Sequence, residues 1–128
     1  MYNKTIMEIF ANPKNVGIIQ GAIGTGHFVN ETTNNIYKIY LKIEDDTIVD
    51  ATFKTFSNAY AIAVCSVLTQ MLKGKSLLEA KAINQQDILE KIGYVDNDDT
   101  INDVLQTLNL AFVDYDKKLQ KLLKSSKN

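Results

Sequence analysis

The most regular stretch of the chain is Ile36 to Glu44, where Tyr37, Ile39, Leu41 and Ile43 alternate with Lys38, Tyr40 and Lys42. A period of two sends successive side chains to opposite faces, so this segment predicts a strand with one apolar and one wet face. Asp45-Asp46 reads as a turn, after which Val49, Ala51 and Phe53 alternate against Asp50, Thr52 and Lys54. The two runs predict an antiparallel hairpin whose apolar sides share one core.

Elsewhere the period is helical. Tyr2 to Ala11 carries Ile6, Ile9 and Phe10 and is stopped by Asn12-Pro13. Ala59 to Leu72 is apolar nearly all round, which predicts a buried helix with Asn58 as its cap and Gly74 ending it. Ser76 with Glu79 forms a capping-box pattern for a short helix, and Gln86 to Ile92 suggests another. Tyr94 to Asp99 reads as an acidic loop with Thr100 as the N-cap of a final helix. That helix bears one stripe: Ile101, Val104, Leu105, Leu108, Ala111, Phe112, Tyr115, Leu119 and Leu122. Asn15 to Asn35, with glycines 17, 21, 24 and 26, reads as loop with a weak strand near Gly26–Asn30. The expected fold is α+β: a small antiparallel three-stranded sheet with helices packed on one face, in a single domain over residues 1–128.

Composition narrows the function classes. The 128 residues suffice for one core, and 45% apolar with 23% charged residues is a globular balance. Every cationic side chain except His27 is lysine, and without the guanidinium fork a nucleic-acid reader is a poor expectation. Lysines 117, 118, 121, 124 and 127 sit where a helix C-terminus favours positive charge. One cysteine and one histidine exclude a disulfide framework and the usual zinc spacings. The N-terminus shows no secretory pattern and no apolar run is of membrane-spanning length, so a cytoplasmic protein without membrane partners is expected.

Candidate chemistry is sparse. Cys65 falls inside the apolar helix, where a thiol is inert. His27 lies in the glycine-rich segment with no second histidine and reads as a surface residue. Gly21 to Gly26 lacks the Gly-Lys-Ser/Thr of a phosphate loop. Asp96, Asp98 and Asp99 have no glutamate at calcium-loop spacing and read as a solvated loop. No base, nucleophile and orienting group come together, so no enzyme activity is expected.

Five strings in order change this picture: NPKNVG at Asn12–Gly17, IYKIYLKI at Ile36–Ile43, IVDATFKTF at Ile48–Phe56, AIA at Ala61–Ala63 and LKGKSLLEA at Leu72–Ala80. With Asp114-Tyr115 they resemble the IscU/NifU-type iron–sulfur cluster assembly scaffolds over nearly the whole chain. The resemblance implies the α+β fold expected above. It also implies a site of three cysteines, helped by an aspartate, that holds the nascent cluster; soft thiolates suit iron and sulfide. The family's Cys-Gly-Asp falls on Thr33-Asn34-Asn35, and its Gly-Cys-Gly on Ser57-Asn58-Ala59. The third cysteine falls on Asp99 or Thr100, and the Pro-Pro-Val-Lys element read by the family's chaperone is replaced by Tyr94–Asp98. The ligand positions are therefore substituted by Thr33, Asn35, Asn58, Asp99 and Thr100. Cys65 lies two helical turns past Asn58, about 10 Å along the axis, and does not stand in.

The resemblance implies a scaffold homologue that binds no cluster or metal and serves as an accessory to a cysteine desulfurase or another iron–sulfur assembly protein. Two alternatives stay open at this point. One is an interaction module outside iron–sulfur biology; the other is a metal-binding protein using oxygen and nitrogen ligands such as His27 and Asp99.

Overall fold

The computed structural model describes residues 3–93 and 99–125. The hairpin forms as predicted. Strand β2 (Asn35–Glu44) turns through Asp45-Asp46 into β3 (Thr47–Phe56). Both turn residues have positive φ, 50° and 59°, as a two-residue turn that follows the strands' own twist requires. The apolar face of β2 is buried through Tyr37, Ile39, Leu41 and Ile43.

One position of the hairpin differs from its alternation. Lys42 pairs with Asp50 but Ile43 pairs with Ile48, so Val49 is the extra residue of a β-bulge. The bulge turns Ile48 into the core and leaves Val49 42% exposed, although the simple period puts Val49 inward. A second difference is β1 (Gly24–Asn30), which pairs antiparallel with β2 along its full length. The glycines disguise this strand, and His27 belongs to it rather than to a loop. The sheet order is β1-β2-β3. The loop before β1 closes the far edge of β3, where the Phe53 N–H donates to the Asn15 carbonyl and the Gly17 N–H to that of Phe53.

The helices are α1 (Lys4–Ala11), α2 (Ala59–Leu72), α3 (Leu77–Lys81), α4 (Gln85–Ile92) and α5 (Thr100–Ser125). Asn3 caps α1, Ser76 and Glu79 complete the capping box of α3, and Asn84 with Asp87 forms a second box on α4. Gly74 just past α2 has φ +87°, the left-handed geometry that glycine adopts freely. Helix α2 is buried almost throughout, and its polar Ser66 and Thr69 are satisfied by the same loop that edges β3. The Lys14 N–H donates to Ser66 Oγ at 2.8 Å, and Asn15 Nδ2 to Thr69 Oγ1 at 3.1 Å.

Helix α5 lies across the buried face of β1 and β2, and glycine makes that approach possible. A Cβ on Gly26 would stand 2.0 Å from the Thr107 carbonyl oxygen, and one on Gly24 3.1 Å from that of Ala111. The helix closes its first turn on the Asp99 carbonyl, through the Asp103 N–H at 2.8 Å. Thr100 is thus its first residue rather than the cap that its sequence suggests. The apolar stripe holds through Tyr115, but Leu122 is 61% exposed because the 26-residue helix, roughly 39 Å long, outruns the sheet. No helix among the described residues is long and apolar enough to cross a membrane.

Candidate functional site

Three segments meet where β2 begins: the turn from Asn30 to Asn35, the junction after Phe56, and the start of α5. Ile36 pairs with Phe56, so the β3–α2 junction and the β1–β2 turn share one end of the sheet. Tyr37 points inward there. It is fully buried, with the Phe28 ring stacked against it at 6.4 Å between centroids.

The Tyr37 hydroxyl is the hub of this corner. Asn35 Nδ2 donates to it at 3.3 Å, and the Thr100 and Asp103 side chains lie beside it. Burial pushes its pKa up to about 12; the Asn35 amide opposes that rise and the Asp103 carboxylate adds to it. The phenol therefore stays protonated. Asp103, itself buried, also accepts from Asn30 Nδ2 at 2.9 Å. The neighbouring carbonyl is engaged as well, since Thr107 Oγ1 donates to the Asp103 oxygen at 2.7 Å. A buried carboxylate needs such partners to offset its lost hydration.

The remaining positions are bound into local turns. Asn30 Oδ1 accepts from the backbone of Thr32 and Thr33, at 3.0 and 3.3 Å, while Thr33 Oγ1 accepts from the Asn35 N–H at 3.3 Å. Asn34 takes the left-handed conformation, φ 62°, that asparagine tolerates. Asn58 caps α2: its Oδ1 accepts from the Ala61 N–H at 2.9 Å. Asn35 and Thr100 are thus brought together on Tyr37, whereas Asn58 lies at the same sheet end with its oxygen turned toward its own helix. Of the acidic loop, Tyr94–Asp98 lies outside the described residues, and so do the Asp96 and Asp98 considered as cation ligands.

Asn30, Tyr37 and Asp103 were not singled out by sequence reasoning. The available signal is that Thr100, Asp103 and Thr107 recur at helical spacing beside the apolar stripe, a polar ridge whose partners only the fold supplies. Among the described residues no three His, Cys, Asp or Glu side chains gather where they could hold a metal ion. His27 projects from the exposed face of β1, away from this corner. Cys65 is fully buried in α2, and burial alone drives its thiol pKa well above the usual range. The corner offers amide and hydroxyl groups and the Asp103 carboxylate, most of them already hydrogen-bonded. Such hard, committed donors do not fit an iron–sulfur cargo, which takes soft thiolates.

A three-stranded antiparallel sheet with helices on one face and a cluster of polar side chains at the sheet's end defines a small α+β domain. Comparison with known proteins gives the family. The model of the NifU-like N terminal domain matches residues 1–122. The iron–sulfur cluster assembly scaffold protein IscU of Aquifex aeolicus is 36% identical, with 98% of this chain and 83% of that protein aligned. IscU of Escherichia coli K12 is also 36% identical, over 71% of this chain and 74% of its own. This chain belongs to the NifU-like N-terminal domain family of iron–sulfur cluster assembly scaffolds.

Solved structures agree on the fold. A Fervidobacterium islandicum AW-1 protein, described as an iron–sulfur cluster assembly scaffold for the SUF system, superposes with a TM-score of 0.72 at 20% identity, covering 86% of this chain and 95% of that one. The N-terminal part of a NifU-like protein from Brucella abortus gives the same TM-score at 15% identity, over 91% and 94%.

Proposed function

We propose that this chain serves iron–sulfur cluster assembly as a partner-binding homologue that does not itself carry a cluster. In this reading Thr33, Asn35, Asn58 and either Asp99 or Thr100 stand at the positions where the family keeps its cluster ligands. The observation that carries it is the commitment of those residues: the Asn35 amide donates to the Tyr37 hydroxyl and the Asn58 oxygen caps α2. Releasing either would cost the buried phenol a hydrogen bond or leave a helix N-terminus unsatisfied, so neither group is held ready for iron. The sealed thiol of Cys65 adds no ligand.

What remains is a family fold with an intact frame, and its use lies in docking. A cysteine desulfurase, or another protein of the same assembly machinery, is the partner this reading singles out. No catalytic step is assigned to the chain.

The test is anaerobic reconstitution of the full chain with ferrous iron and sulfide. Visible charge-transfer absorbance above a protein-free control is expected to be absent after desalting. A stable cluster on the wild-type chain would sink the proposal. Co-purification from the native host separates the docking role from a role outside iron–sulfur biology, because a desulfurase among the retained proteins is the expected outcome.

A further inference from the structure

The solvent-facing side of the sheet is patterned in cross-strand rows, while α2 and α5 cover the opposite face. Register sets Val29, Ile36 and Phe56 side by side as one apolar row at the sheet end nearest the polar corner. Phe56 is 63% exposed and Val29 42%, and their contiguity in one row is what sets them apart from singly exposed apolar side chains. The next row is His27, Lys38 and Lys54.

Lys38 and Lys54 are directly opposite one another, an arrangement that costs stability in a sheet because like charges face each other at pair distance. No acidic residue stands in either row or in the row beyond, Thr25, Tyr40 and Thr52. The ion pairs of the described residues involve Lys4, Lys42, Lys73 and Lys118, not these two lysines. An uncompensated basic row flanking an exposed aromatic is the complement of a surface that is acidic and carries an apolar anchor.

We propose that this sheet face docks an acidic protein segment bearing an aromatic or branched apolar anchor, with carboxylates against Lys38 and Lys54 and the anchor against Phe56 and Val29. A second copy of the chain does not fit, because a two-fold contact through this face would set the basic rows against each other. An anionic bilayer does not fit either: two lysines and one aromatic are too few for stable attachment to a membrane surface.

The full chain, isotope-labelled and followed by amide NMR, is titrated with a synthetic glutamate-rich peptide carrying a phenylalanine, and with its lysine-for-glutamate counterpart. The acidic peptide is expected to shift amides of β1, β2 and β3 around the two rows, with binding that weakens as salt is raised. Lys38→Glu combined with Lys54→Glu is expected to weaken binding at least about tenfold, and Phe56→Ser about tenfold. These positions are solvent-facing, and an unchanged amide spectrum outside the rows confirms that the variants fold. Equal response to the basic peptide, or unchanged binding in the charge-reversed variant, overturns the proposal. So does self-association that perturbs the same rows, or sedimentation with phosphatidylserine vesicles in place of a peptide response. The titration reads peptide docking and the reconstitution reads cluster binding, so the failure of either leaves the other untouched.

Discussion

Two of the contacts between helix α5 and β1 lie one helical turn apart and are built from opposite materials. At Gly26 the helix backbone lies against the strand with no side chain between them, and the Thr107 carbonyl fills the space a Cβ would take. At Asn30 the contact is made wholly by side chains, through Asp103 and on to Tyr37, Asn35 and Thr100. The first contact fixes how closely helix and sheet approach. The second occupies whatever room that approach leaves at the sheet end. A corner of this kind can exchange one set of polar groups for another while the seam keeps the frame in register, and the proposed function rests on such an exchange.

Breaking the seam is the most damaging change. Gly26→Ala places a methyl group into backbone that cannot swing aside, so a loss of about 3 kcal/mol is expected in urea unfolding. The corner ranks next. Asp103→Ala leaves the Asn30 amide without its acceptor, removes the carboxylate beside the Tyr37 hydroxyl, and is expected to cost about 2 kcal/mol. If Tyr37 and Asp103 act as one network, Tyr37→Phe costs less in the Asp103→Ala background than alone; strict additivity would separate them.

Asn58 provides a sharper contrast, because its role belongs to a single helix end. Asn58→Ala is expected to cost about 1 kcal/mol through the lost cap, while Asn58→Ser stays close to wild type. An equal loss in both variants would mean that the side chain does more than cap.

The smallest effect concerns Asp114, which ties α5 to the start of β1. Its carboxylate accepts from the Thr25 N–H at 2.8 Å and pairs with Lys118 at 2.9 Å. Burial pushes its pKa up, but the Lys118 ammonium and the Thr25 N–H outweigh it and hold the carboxyl below its usual range. A carboxylate depressed in the folded state adds stability above its unfolded pKa and loses it as pH falls through the folded value. The gap between wild type and Asp114→Asn, well under about 1 kcal/mol for so exposed a pair, is therefore expected at neutral pH and should close below about pH 4. Thermal melts across that range measure it.

The same contrast explains what was legible in the sequence. Period two and period 3.6 carry their own signal, so the hairpin, the buried α2 and the stripe of α5 were readable residue by residue. Strand β1 was half hidden because Gly24 and Gly26 answer to the helix above them, and the alternation of the strand is lost where a side chain would collide. Val49 misled for a local reason, since a bulge inverts the face of every residue beyond it. The cap at Asn58 follows from neighbours in the chain and could be foreseen. The network on Tyr37 joins residues up to some seventy positions apart, such as Asn30 and Asp103, and no spacing rule connects them.

Cys65 has a consequence beyond its packing. It is the chain's only thiol, and it is enclosed on all sides within α2. Peroxide and glutathione disulfide act on accessible thiolates, so this chain presents no place for a sulfenic acid or a mixed disulfide while it stays folded. Thiol oxidation is thus closed to the folded chain, a form of endurance that a thiolate-bearing site gives up.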